Sequence, residues 1–298
     1  MINHWLFITL VGTLFWASSN FVDKYILDKR TKGIFDYLFF STITSWFFLV
    51  ILLFFVGLPE LTVYSLIPIF TGILLIASYG FYARALEQGD TSSLVILFML
   101  IPVVTAVLAY VILGQTLSAK ELLGFFVVLF GGIIISFERK RNLFAKGLGM
   151  ILIAIFLWSV MYIVIDYGLT KMSFWDYFLL DTLGSGLAGI FLFLIPVMRR
   201  QIVTGLKTAT VSKYLWFSGN NLLDLFGQIS IKKALTIAPS VGLVTVVTQV
   251  QAFYALVIGI LLTLFLPSIF KEDIAVRNLA KKFVGALIMF VGVYILSV

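Results

Sequence analysis

Runs of about 20 mostly apolar residues, the length a helix needs to cross a bilayer, follow one another along almost the whole chain. They lie near 3–22, 34–57, 64–85, 91–113, 119–137, 146–168, 174–197, 212–236, 239–266 and 281–298. Breaks are marked by turn residues or charge. Gly57-Leu58-Pro59-Glu60 ends the second run, Gly89-Asp90 separates the third from the fourth, and Gly114-Gln115 follows the fourth. Glu138-Arg139-Lys140-Arg141 closes the fifth, and Ala238-Pro239 parts the eighth from the ninth. The expected fold class is an all-α integral membrane protein with about ten transmembrane helices.

Composition agrees. The chain is 61% hydrophobic and only 12% charged, whereas a soluble domain carries about 25% charged residues. The formal net charge is +7, but the basic residues sit in short loops between apolar segments, as the positive-inside rule describes. No nucleic-acid partner is expected, because no basic stretch is long enough to fold alone. There is no Cys, and His4 is the only His. Disulfides, thiolate metal sites, zinc sites and His-based dyads therefore lack their parts, and neither a metal nor a cofactor is expected. The first segment contains Asn20 and Asp23 and follows no basic region or small-residue cleavage motif, so it reads as a retained helix.

Short patterns recur in order. Asp36-Tyr37 in segment two returns as Asp176-Tyr177 in segment seven, and Phe15-Trp16-Ala17-Ser18 is echoed by Leu157-Trp158-Ser159. Arg84-Ala85-Leu86 matches Lys233-Ala234-Leu235. Gly124, Gly131 and Ser136 in segment five repeat at one common offset as Gly285, Gly292 and Ser297 in segment ten. These matches predict two five-helix repeats, residues 1–141 and 142–298. Five is odd, so the second repeat enters the membrane inverted, a construction found in secondary transporters.

Loop charge supplies an independent reading. Lys24, Lys29, Arg30 and Lys32 join segments one and two, against Lys171 alone in the counterpart loop. The loop after segment two has no Lys or Arg, whereas its counterpart has Arg199, Arg200, Lys207 and Lys213. Lys120 alone follows segment four, against Lys271, Arg277, Lys281 and Lys282 after segment nine. Loops after odd-numbered segments, including the linker with Arg139, Lys140, Arg141 and Lys146, are expected to be cytoplasmic in a plasma (inner) membrane. Both termini would then lie outside.

The stretch from Arg84 to Ser136 carries Ala85-Leu86, Ser92-Ser93-Leu94, Ile101-Pro102-Val103, Leu113-Gly114-Gln115-Thr116-Leu117, and Gly124 through Gly131-Gly132. It resembles the EamA-type branch of the drug/metabolite transporter superfamily. The second half resembles it more weakly, at Ala234-Leu235, Pro239-Ser240 and Gly285 through Gly292. Gln115 stands where that family usually has Glu, which removes an ionic role there, and Gln249 stands at the place of Pro102, so the second half lacks the kink residue. The resemblance implies a carrier of small organic molecules, often an exporter. It also implies cytoplasmic termini, opposite to the loop-charge reading.

Polar groups in hydrocarbon are costly and face protein or a water-filled cavity, either as a site or as ties between helices. In segment one, Trp16, Ser19, Asn20 and Asp23 share a helical face at three- and four-residue spacing. Asp23 and Lys24 equally suit a helix end. Segment eight aligns Asn220, Asp224, Gln228 and Lys232 at four-residue spacing, with Asn221 beside them. Lys232 also suits a helix end reaching for the interface. Segment nine adds Thr245, Thr248 and Gln249, and segment three adds Tyr79 and Tyr82. The expected substrate-binding set is Trp16, Ser19, Asn20, Tyr79, Tyr82, Asn220, Asp224, Gln228, Thr248 and Gln249, around a cavity lined by segments one, three, six, eight and nine. Asp224, Asp181 and Asp23 are the candidate coupling carboxylates, with protons as the candidate coupling ion. Pro102 is a candidate hinge.

The function these readings favour is a secondary transporter of a small organic metabolite or drug, in contact with the lipid bilayer and working by alternating access. A membrane enzyme acting on lipid would need clustered carboxylates or a His/Ser arrangement, and the carboxylates here are scattered. A channel or scaffold fits the composition but leaves the duplicated polar faces unexplained.

Overall fold

Lipid offers backbone groups no hydrogen-bond partner, so a spanning chain closes its own bonds in helices. The computed structural model describes residues 3–88, 96–136, 147–265 and 276–298, and it is helical throughout, with no strand among the described residues. The helices are α1 (His4–Arg30), α2 (Ile34–Val56), α3 (Leu66–Gln88), α4 (Leu100–Leu113), α5 (Ala119–Ser136), α6 (Leu148–Leu169), α7 (Phe174–Leu194), α8 (Pro196–Lys207), α9 (Val211–Leu235), α10 (Val241–Val247), α11 (Gln251–Phe265) and α12 (Val276–Ser297). The 141/142 repeat boundary lies outside the described residues. So do Gly89-Asp90, Ser92-Ser93-Leu94, Arg139, Lys140, Arg141, Lys146 and Lys271.

Among the described residues, seven helical stretches are long and apolar enough to cross a membrane. The chain is a multi-pass membrane protein. Helix α9 is not one of the seven, because Lys213, Asn220, Asn221, Asp224, Gln228, Lys232 and Lys233 lower its hydropathy. It is nonetheless packed along the length of α1 and against α2, and its polar groups find partners on α1, α2 and α7 and along α9 itself.

Four sequence expectations change in detail. Helix α1 continues two turns past the apolar run to Arg30, so Asp23 lies inside a helix and does not end it. The basic stretch after segment seven is largely helical as α8, with Pro196 in its first turn, where the missing N–H costs nothing. Pro102 is the third residue of α4, and the break lies just before it, where a 3₁₀ turn at Ile96–Met99 meets the α-helix. Segment nine is broken too, at a 3₁₀ turn over Thr248–Val250 between α10 and α11, although it has no proline there. Thr248 Oγ1 and Gln249 Nε2 both donate to the carbonyl of Thr245, at 2.7 and 3.2 Å. That competes with the backbone ladder and supplies the irregularity.

Close crossings use glycine. A Cβ on Gly131 would stand 2.6 Å from the carbonyl of Gly285, and one on Gly292 would stand 2.9 Å from the carbonyl of Gly124. The repeated glycines of segments five and ten are therefore the contact face between α5 and α12. Gly72 of α3 and Gly184 of α7 meet the same way, each against the other helix's backbone. Short α10 is buried almost entirely, with Val241, Val244, Val246 and Val247 fully enclosed in the largest apolar core.

Candidate functional site

Helix α9 positions the polar interior. It carries Lys213 in its first turn and Lys232 near its last, roughly 28 Å apart at 1.5 Å per residue. Each lysine is buried and paired. Lys213 Nζ donates to both carboxylate oxygens of Asp36, at 2.8 and 2.9 Å, and lies 3.7 Å from the ring centroid of Phe40. Lys232 Nζ donates to Asp181 Oδ2 at 2.7 Å and to Gln228 Oε1 at 2.6 Å. Thr71 of α3 donates to the other Asp181 oxygen at 2.6 Å and shares a 2.9 Å hydrogen bond with the Tyr177 hydroxyl. The ion pairs thus tie α9 to α2 at one end and to α7 at the other.

Between them lies a cavity. Asp23 and Ser19 from α1, Tyr37 and Ser41 from α2, Tyr79 from α3, and Asn220, Asp224 and Gln228 from α9 are among its walls. Its volume of about 70 Å³ holds several waters, each needing about one probe sphere of 10–15 Å³. A second cavity continues from it toward Asp181 and Phe178, and Asp224 and Gln228 line both. Asn220 Nδ2 donates to Asp23 Oδ1 at 2.5 Å, the Tyr37 hydroxyl donates to the same oxygen, and Ser19 donates to Asn220 Oδ1 at 3.0 Å. Gln228 Nε2 donates to Asp224 Oδ2 at 3.2 Å, and the Trp16 indole is also hydrogen-bonded to Asp224. Asn221 ties α9 to α2 by donating to the Ser41 carbonyl at 2.9 Å and to Thr44 Oγ1 at 2.5 Å.

Of the residues expected from sequence, Ser19, Tyr79, Asn220, Asp224 and Gln228 meet at this cavity together with Asp23. Trp16 stands behind it, against Gly227. Asn20 is on the exposed face of α1. Tyr82 packs with Phe98 and Trp158 at ring distances of 5.2 and 5.8 Å, away from the cavity walls. Thr248 and Gln249 form the helix break described above. Segments six and nine do not line the cavity; segments two and seven take their place. Tyr37, Ser41 and Ser45 of α2 were not selected from sequence, although their four-residue spacing on one helix face was a readable signal. Lys213, counted as a loop charge, is 3% exposed and leaves that tally, and Lys232 at 4% exposed is no helix-end lysine.

Gln115 makes a separate junction. Its Nε2 donates to Asp166 Oδ2 at 2.7 Å while its Oε1 accepts from the Val241 N–H at 3.0 Å. A side-chain amide can do both at once; a carboxylate cannot.

The EamA-like transporter family model matches residues 3–137. That match is consistent with the drug/metabolite transporter superfamily. The matched family is one of membrane transporters, which implies a small-molecule substrate and a lipid setting. No curated protein matches the chain. A solved structure titled only "Crystal structure of protein" is similar over 98% of this chain and 98% of its own, with a TM-score of 0.66 at 13% identity. At that identity the likeness shows the fold alone.

Proposed function

We propose that this EamA-like chain is a secondary carrier in the plasma (inner) membrane, built from two inverted five-helix halves, and that it moves a small organic solute by alternating access through the cavity beside α9. The observation that carries this reading is the cavity itself. Two carboxylates, three amides and several hydroxyls converge in the middle of an apolar bundle, with a buried ion pair toward either end of the same helix. Polar groups at membrane depth are retained where they serve a pathway.

The pattern of helix neighbours supports the inverted duplication. Exchanging segments one to five with six to ten turns the α1–α9 contact into α6–α3, and it turns α3–α7 into α9–α2. It maps the α2–α7, α5–α12 and α4–α10 contacts onto themselves. All of these contacts are present, as a pseudo-two-fold axis in the membrane plane requires. The basic residues remaining around α8, Arg199, Arg200 and Lys207, support a cytoplasmic position for that loop. Asp224 is the proposed proton-coupling carboxylate, because it stands between the two cavities, with Asp23 and Asp181 on either side of it. Export is the proposed direction.

Counterflow tests the carrier reading. Purified protein in liposomes should show saturable uptake of a labelled solute, accelerated by unlabelled solute inside. Uptake that rises linearly with concentration and ignores internal solute would mean a channel, and the alternating-access reading would be withdrawn.

A further inference from the structure

The inner faces of α1, α2, α7 and α9 carry four carboxylates that differ in their partners. Asp36 and Asp181 are each neutralised by a lysine, at 2.8 and 2.7 Å. Asp23 and Asp224 are not. Among the described residues their hydrogen-bond partners are uncharged: Tyr37, Asn220 and Ser19 for Asp23, and Gln228 and Trp16 for Asp224. Lys232, whose charge reaches Asp224 without a hydrogen bond to it, is already held by Asp181 and Gln228. The cavity walls therefore carry two acidic groups and no basic one. In a low-dielectric bundle such an imbalance is expensive unless something positive enters. Tyr79 adds an aromatic ring to the same wall, a surface that attracts cations.

Resting on the carrier reading above, we infer that the solute is a small organic cation, its charged nitrogen held between Asp23 and Asp224 and flanked by Tyr79. Ser41, Asn220 and Gln228 are in place to hydrogen-bond polar groups on the remainder of the molecule. An organic anion would meet two like charges and no free lysine. A neutral solute would leave both carboxylates without a counter-charge.

A matched series separates the classes. Thermal unfolding of the full-length protein in detergent is measured with putrescine, the butanediol of the same chain length, succinate, and tetramethylammonium, each at millimolar concentration. Putrescine or tetramethylammonium should raise the melting temperature by several degrees, as ligand linkage requires, while butanediol and succinate leave it unchanged. Asp224→Asn and Asp23→Asn should each lose most of that rise while remaining folded. The inference is overturned if succinate or butanediol stabilises as much as the amines, if neither cation stabilises, or if the rise persists in both variants. Counterflow in liposomes distinguishes the underlying reading. Cation stabilisation without flux would retire the carrier and keep the cation site, and saturable flux of an anion would retire the cation site and keep the carrier.

Discussion

Lys213 and Asp36 lie 177 positions apart in the chain, and their side chains meet at 2.8 Å with both almost wholly out of solvent. The pair joins the first turn of α9 to the first turn of α2. Gly205 of α8 leaves room for it, since a Cβ there would run into the Asp36 carboxylate. The backbone N–H of Lys32 also donates to Asp36, at 2.7 Å.

Breaking one side of such a pair strands a buried charge. Lys213→Met or Asp36→Asn should each destabilise the protein by roughly 3–5 kcal/mol. The double variant should recover most of that loss, because two uncharged groups need no counter-ion. Thermal unfolding of the three variants in one detergent decides it, and additive losses in the double variant would show that the two side chains do not act as a pair.

Asp181 and Asp224 line the same second cavity but differ in their partners, a lysine for Asp181 and an amide for Asp224. Asp181→Asn removes the partner of Lys232 and should lower the melting temperature markedly, with recovery when Lys232→Met is added. Asp224→Asn removes no ion pair and should melt near wild type while losing solute-dependent flux. Equal thermal losses in the two single variants would contradict this division.

Gln115→Glu is predicted to weaken the junction of α4, α6 and α10. It places a carboxylate against Asp166 and removes the donor, at a cost of about 1–3 kcal/mol. Adding Asp166→Asn restores a donor opposite the new carboxylate and should return most of the stability. If Gln115→Glu alone melts as wild type does, the bridge contributes nothing.

The crossing of α5 and α12 should tolerate no bulk. Gly131→Leu forces a side chain into the backbone of Gly285 and Met289, and overpacking of this kind costs about 1–3 kcal/mol or more. Gly80 has nothing within 4 Å of where a Cβ would stand. Gly80→Ala should be neutral or stabilising by up to about 1 kcal/mol. Unfolding of the two variants by titrated denaturing detergent, read side by side, checks the contrast.

Much of the site was legible because helical spacing is a local property. The four-residue run Asn220, Asp224, Gln228, Lys232 names one face of α9 before any partner is known, and the repeated glycines of segments five and ten mark a packing face. Partners were not legible. Lys213 looked like one more loop charge, and Asn20 shares a sequence spacing with Ser19 and Asp23 yet points away from them. Spacing defines which residues are neighbours on a helix, but not which side of that helix meets the bundle.

Sequence alone therefore determined the membrane setting, the helical class, the segment order and the resemblance to EamA-like transporters. All of these follow from local hydropathy, the period of the helix and short motifs. Only the tertiary structure decided that Asp36 and Asp181 are neutralised while Asp23 and Asp224 are not, and that segments two and seven line the cavity where six and nine were expected. Charge pairing between residues 177 and 51 positions apart depends on how helices cross, and no local pattern along the chain encodes that.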